Sequence, residues 1–534
     1  MKKTALFALT ALLLFSTTGL ASCGRHSSSQ DHYSIVEGTD GLIYELNESK
    51  DGYILTDCAT VDTEIVIPEL YNNLPVREIG DEAFMYTTID SLFLPRSLRT
   101  IGDRAFLGLS SESLITKIEI PEGVTSIGEE SFRYIPSVKE IVLPSTLETI
   151  GDRAFGLSTN LAKITLSSDN PYFATSSNIL YTKDMTELVY YPEAIKSTTY
   201  DMPNTVTKVR ANALYGNQNL TSISLSSSLK EVERRGMAAL FNVTTLPLHR
   251  TQLETIGELA FSENSSVTAI SLPDTVKTLG VGAFYKNSSL TSFSFRSDFE
   301  ELPDEFFSNC SKLAAVDLPK SLKKIGAEAF YGCLSFSRIT IPDGVTTIGD
   351  SAFSACTNLK TVKLPASLTE IAPHAFSYCR NISTLDFPSG ITSIGESAFS
   401  GCSSLKSLDL VNTKVVTIEK AAFLSCSNIA SITFPSTLRS IGEKAFQSNT
   451  SLKQLALNDG LESIGESAFY DYRDLTKAYV PASVKSIGTS AFSSIIQSRV
   501  GLTLCFEASS VSFENYGNPA NTQFGVTRSA YEAL

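Results

Sequence analysis

The sequence predicts an α/β solenoid, a chain that grows by stacking copies of one short unit. Three observations predict it. Phe330, Phe353, Phe376 and Phe399 recur at an interval of 23 residues, each closing the motif Ile-Gly-x-x-Ala-Phe or a near variant. A fixed period of this size marks a repeat whose single copy cannot bury its apolar face alone. In Leu359-Lys360-Thr361-Val362-Lys363-Leu364-Pro365, Val362 and Leu364 share one side of a strand while Thr361 and Lys363 share the other. Proline recurs at the end of that run, as at Pro95, Pro121, Pro319 and Pro342, where the missing donor stops further pairing. The expected unit is therefore a parallel β-strand on one face and a short helical or 3-10 turn on the other, with β-rich caps at both ends.

Taken in order, residues 1–22 carry Lys2, Lys3, an apolar run from Ala5 to Phe15 and small residues before Cys23, the pattern of an export signal. Leu20-Ala21-Ser22-Cys23 resembles the bacterial lipobox, which makes Cys23 the site of lipid (palmitate-type) modification of a lipoprotein. Residues 23–32 are Ser-rich and polar, a tether. Residues 33–75 alternate apolar and polar and read as an N-terminal β cap over the first rung. The repeats fill 76–492 in about seventeen copies, interrupted near 168–200. That interruption holds Asn170-Pro171-Tyr172-Phe173, Ile179-Leu180-Tyr181 and Leu188-Val189-Tyr190-Tyr191-Pro192 around a polar turn, and reads as a hairpin projecting from the solenoid. Residues 493–534 read as the C-terminal cap.

Within the unit, Gly349 is expected to supply an unusual backbone turn and Asp350 to begin the helical segment, where an acid meets the positive end of the helix. Ala352 and Phe353 pack inward. Cys310, Cys333, Cys356, Cys379, Cys402 and Cys426 lie three residues after the repeat Phe or its equivalent, and Asn217, Asn264, Asn287 and Asn449 take that position elsewhere. The spacing predicts a structural ladder in which a small weak donor meets a neighbouring loop carbonyl.

The formal net charge is −14, and −16 without Lys2 and Lys3, which opposes phosphate backbones and argues against a nucleic-acid partner. There is no Trp and there are four scattered His (His26, His32, His249, His374), so neither metal ligation nor histidine catalysis is indicated, and no cofactor is expected. The sequence contains no Gly-x-Ser-x-Gly elbow, His-Glu-x-x-His pair, phosphate loop or dinucleotide glycine fingerprint. Asp386 and Asp409, one rung apart, are a carboxylate pair. The outward strand positions form a ribbon of mostly small polar residues, on which Arg338, Thr361, Lys363, Asp386, Asp409 and Tyr479 are the candidate binding residues.

The repeated Leu-x-x-Ile-x-Leu-Pro-x-x-Leu-x-x-Ile-Gly-x-x-Ala-Phe-x-x-Cys resembles the BspA-like, Treponema-type class of bacterial leucine-rich repeats, over about residues 76–492. The resemblance implies a non-catalytic, lipid-anchored protein of the outer membrane or cell surface, engaged in adhesion. Its ligand would be a protein or glycan, host extracellular matrix included, and its contact with the membrane would be the lipid anchor alone. Two alternatives stand beside that reading: a scaffolding lipoprotein of the cell envelope, and a carbohydrate-active enzyme using Asp386 and Asp409.

Overall fold

Most repeat turns contain two strand segments where the sequence announces one. In the computed structural model, which describes residues 38–493, 502–508 and 521–533, Thr361–Lys363 pairs in parallel with Arg338–Thr340 one turn earlier. The same turns pair a second time through Thr347–Ile348 and Lys324–Ile325. Both registers equal one period, as Arg338 faces Thr361 and Lys324 faces Thr347. The second strand is the β-branched Thr-Ile step before the glycine, whose two residues are too few to show an alternation in sequence. The export signal at 1–22 and the tether with Cys23 lie outside the described residues.

The third side of each turn corrects the expected helical or 3-10 segment. Ser351, Phe353 and Ala355 donate their N–H groups to Pro373, Ala375 and Ser377 of the next rung, at 2.8–3.1 Å. The intervening Ala352, Ser354 and Cys356 donate back within their own rung to Gly349, Ser351 and Phe353. Left-handed φ angles at Ser351 (55°) and Ala355 (59°) break any helical run and turn alternate amides toward the neighbour. A helix would satisfy those amides locally; the stack uses half of them between rungs.

The glycine and acid assignments change with it. Gly349 does not have a left-handed φ; instead a Cβ there would lie 2.5 Å from the backbone nitrogen of Ala327, so the residue is glycine because two rungs touch. At the position equivalent to Asp350, Asp81 and Asp103 each accept the backbone N–H of the next rung, from Asp103 and Glu129, both at 2.7 Å. These two acids join rungs and cap no helix.

The core is a column of parallel rings. Phe353 stacks on Phe330 at 5.1 Å and on Phe376 at 5.2 Å, with planes within 7°. All three are fully buried, along with Ala352, and Val362 is buried beside them.

The expected projecting hairpin is instead built into the body. Phe173–Ser176, Ile179–Thr182 and Glu187–Tyr190 form an antiparallel meander, and the last strand joins the solenoid by pairing in parallel with Lys208–Val209. Tyr191 donates its N–H to Ala213, the bond a repeat Phe makes to the next rung. The meander divides two hydrophobic cores: Phe173, Leu180 and Tyr190 belong to the N-terminal one, and Ile179, Tyr181 and Tyr191 to the C-terminal one. Burying both faces explains why aromatic residues are concentrated there. Of Tyr172, Tyr181, Tyr190 and Tyr191, Tyr172 alone remains outside.

At the N-terminal end, Leu42–Leu46 runs antiparallel to Tyr53–Cys58, which in turn pairs in parallel with Leu74–Ile79. At the other end Thr503–Phe506 and Asn521–Phe524 extend the sheet, and the helix Arg528–Ala533 folds back across it. No helix among the described residues is long and apolar enough to cross a membrane.

Candidate binding face and its grooves

The three-residue strands form a face whose outward residues are exposed and whose inward residues are core, as in Arg338–Ile339–Thr340 and Thr361–Val362–Lys363. Unlike the sheet of two-residue strands, which runs unbroken from Glu370–Ile371 to Ser486–Ile487, this one is interrupted. Residues 315–318 and 384–387 occupy strand rungs yet belong to no strand.

Beside the first interruption lies a groove of about 500 Å³, whose lining includes Asp317, Lys320, Arg338, Thr340, Asp343 and Lys363. Arg338 and Lys363, separated by one rung, are thus brought together with Lys320, which sequence reasoning had not singled out. Lys320 was missed because it follows the strand-ending Pro319, in a turn that carries no pattern of its own. Lys363 Nζ is 3.8 Å from Asp343, whereas Arg338 and Lys320 have no carboxylate partner among the described residues. A second groove of about 630 Å³ opens where the 3-10 turn Leu248–Arg250 diverts a rung beside Ala269–Ser271, with His249 and Arg250 in its lining.

Thr361 is exposed beside Arg338 but does not line the first groove. Asp386 is exposed on the second interrupted rung. Asp409 is exposed, and its carboxylate accepts from the Thr433 hydroxyl and, at 3.2 Å, from the Val411 N–H; these bonds hold its pKa below the usual carboxylate range. A carboxylate so stabilised in its charged form is a poor proton donor near neutral pH.

Tyr479 is not on the exposed ribbon: it is fully buried. The returning C-terminal helix places the Tyr531 ring 5.5 Å from that of Tyr479 and the Arg528 guanidinium 5.7 Å from it. The covering residues lie some fifty positions later, beyond the reach of any repeat pattern.

The six ladder cysteines each donate a thiol to the carbonyl of the Phe at the repeat position of the preceding rung, Cys356 to Phe330 at 3.1 Å and Cys379 to Phe353 at 3.1 Å. Asn449 Nδ2 makes the same bond to Phe423 O at 3.1 Å, which explains why Asn and Cys interchange. Burial pushes the thiols of Cys310, Cys356 and Cys402 up to about 12. All eight described cysteines are free, and no group of three His, Cys, Asp or Glu among the described residues is placed to hold a metal.

Against known families, the model described as "BspA type Leucine rich repeat region (6 copies)" matches residues 77–196, 187–314, 281–392 and 369–498. The chain belongs to the BspA-type leucine-rich repeat family. No curated protein sequence matches it. Among solved structures, a leucine-rich repeat protein from Eubacterium ventriosum is 25% identical, with 61% of this chain and 74% of that one covered and a TM-score of 0.42. One from Bacteroides ovatus is 23% identical, covering 90% and 99%, with a TM-score of 0.33. A leucine-rich cell surface protein from Faecalibacterium prausnitzii is 20% identical, covering 93% and 97%, with a TM-score of 0.31. The repeated residues of this BspA-type chain are scaffold, and the family alone does not name a ligand.

Proposed function

We propose that this BspA-type chain is a non-catalytic, surface-anchored binding protein, held to the envelope through lipid on Cys23. It takes a protein or glycan ligand, host matrix included, on the face of three-residue strands. The observation that carries the reading is the groove in that face where Arg338 and Lys320 stand without carboxylate partners. Unpaired cations in a groove on an otherwise Ser/Thr-rich ribbon are groups that a ligand can use, whereas an ion pair already formed offers little. Family membership supports the role, since solenoids of this kind expose long faces to partners.

The test pairs antibody labelling of intact cells with a glycan and matrix-protein array. Labelling without permeabilisation is expected, together with at least one array ligand whose binding falls about tenfold in Arg338→Glu. Labelling only after permeabilisation, with crosslinks to envelope proteins alone, would instead make the chain an envelope scaffold.

A further inference from the structure

Four consecutive residues on the face leave their backbone hydrogen bonds unmade. Ala315, Val316, Asp317 and Leu318 neither donate to nor accept from a neighbouring rung among the described residues. The rungs on either side of the groove touch before it, where Ser337 N–H meets Ala314 O at 3.1 Å. They meet again after it, where Thr346 N–H reaches Lys323 O at 2.9 Å. Between those two points they part, and the groove of about 500 Å³ occupies the gap. On its far side Arg338–Thr340 pairs with Thr361–Lys363 alone, so one of its edges faces the groove. Backbone groups on such an edge are a template for another extended chain.

Charge narrows what that chain would be. The groove's charged lining is Lys320, Arg338 and Lys363 against Asp317 and Asp343, a positive balance in a protein whose net charge is −14. Arg338 and Lys320 lie at the groove itself. The second groove repeats the construction: Ala269–Ser271 pairs with Ser292–Ser294 alone, and His249 and Arg250 lie beside its other edge. A sugar's hydroxyls can bond single backbone groups, but an extended chain matches the regular spacing of donors and acceptors along a strand edge.

We propose that the groove between Ala315–Leu318 and Arg338–Thr340 binds an extended acidic segment of another protein. The segment adds its backbone to the edge of Arg338–Thr340 and sets its carboxylates against Arg338 and Lys320. Four or five residues would fill the parted stretch, at about 3.3 Å each. This rests on the binding role proposed above and narrows its ligand to a peptide.

The probe is a fluorescein-labelled peptide of alternating Glu and Val, titrated with the purified full-length chain and read by anisotropy. Binding is expected to weaken with salt, to fall about tenfold in both Arg338→Glu and Lys320→Glu, and to be largely kept in Arg338→Lys. The same peptide N-methylated at alternate residues keeps its charge but loses main-chain donors, and should bind at least about tenfold more weakly. Equal binding of the methylated peptide, or unchanged binding by Arg338→Glu, would overturn the proposal. Thermal melts equal to wild type exclude misfolding of the variants. Heparin bound in place of the peptide, or an array ligand that depends on Arg338 while the peptide does not bind, would refute the peptide and leave the binding role standing. No Arg338-dependent ligand of any kind would remove both.

Discussion

Cys356 shows what a single position contributes. Its thiol is fully buried against the Phe330 carbonyl, and its pKa is pushed up to about 12 by loss of water. A group whose folded pKa lies above its unfolded one adds stability that is complete below the unfolded value, about 9, and is lost as pH rises toward the folded one. Between about pH 8 and about pH 10, wild type should therefore lose about 1–2 kcal/mol more than Cys356→Ala in paired urea titrations. Iodoacetamide should label the ladder thiols only after unfolding. Phe353→Ala removes a ring stacked on both sides and should cost about 3–5 kcal/mol by the same measurement; a loss under about 1 kcal/mol would contradict the stack. The inward Phe and the cysteine row were legible in sequence because both recur at one spacing. Tyr479 was not, because burial there comes from a helix outside the repeat.

At the scale of the element, the turn row was misread because Gly, an acid and Ala-Phe after a strand are also what a helix start looks like. What separates the two is inter-rung contact, which a single copy of the repeat does not display. The structure makes opposite predictions for neighbouring positions. Gly349→Ala drives a Cβ into the backbone of Ala327 and should destabilise by about 1–3 kcal/mol. Ser351→Gly relieves a left-handed residue and should be neutral or stabilising by up to about 1 kcal/mol. Equal losses at both would refute the assignment. The insertion holds a second titrating group: Glu193, nearly buried, accepts the Leu157 N–H at 2.7 Å, and burial raises its pKa to about 7. Here too the folded pKa is the higher one, so its contribution is complete below about pH 4.5 and lost as pH rises through about 7. Glu193→Gln keeps the acceptor and should flatten that part of the stability profile, gaining about 3 kcal/mol at about pH 8 in urea titrations.

Over the whole molecule, stability is local because each rung touches only its neighbours. The C-terminal helix is fastened by Tyr531, whose hydroxyl donates to Leu455 O at 3.1 Å and whose ring lies under Lys477 Nζ at 4.5 Å. Tyr531→Ala should speed amide exchange across Lys477–Val480 and Thr503–Phe506 by at least about tenfold while leaving Thr100–Ile101 unchanged. Faster exchange at both ends would mean that the array unfolds as one body. The insertion sets the larger boundary. With Phe173, Leu180 and Tyr190 turned to one side and Ile179, Tyr181 and Tyr191 to the other, it works as a bulkhead in a long hull. Water admitted at the N-terminal end floods one compartment and finds the next still closed, so the half that carries both grooves can outlast the loss of the half before it.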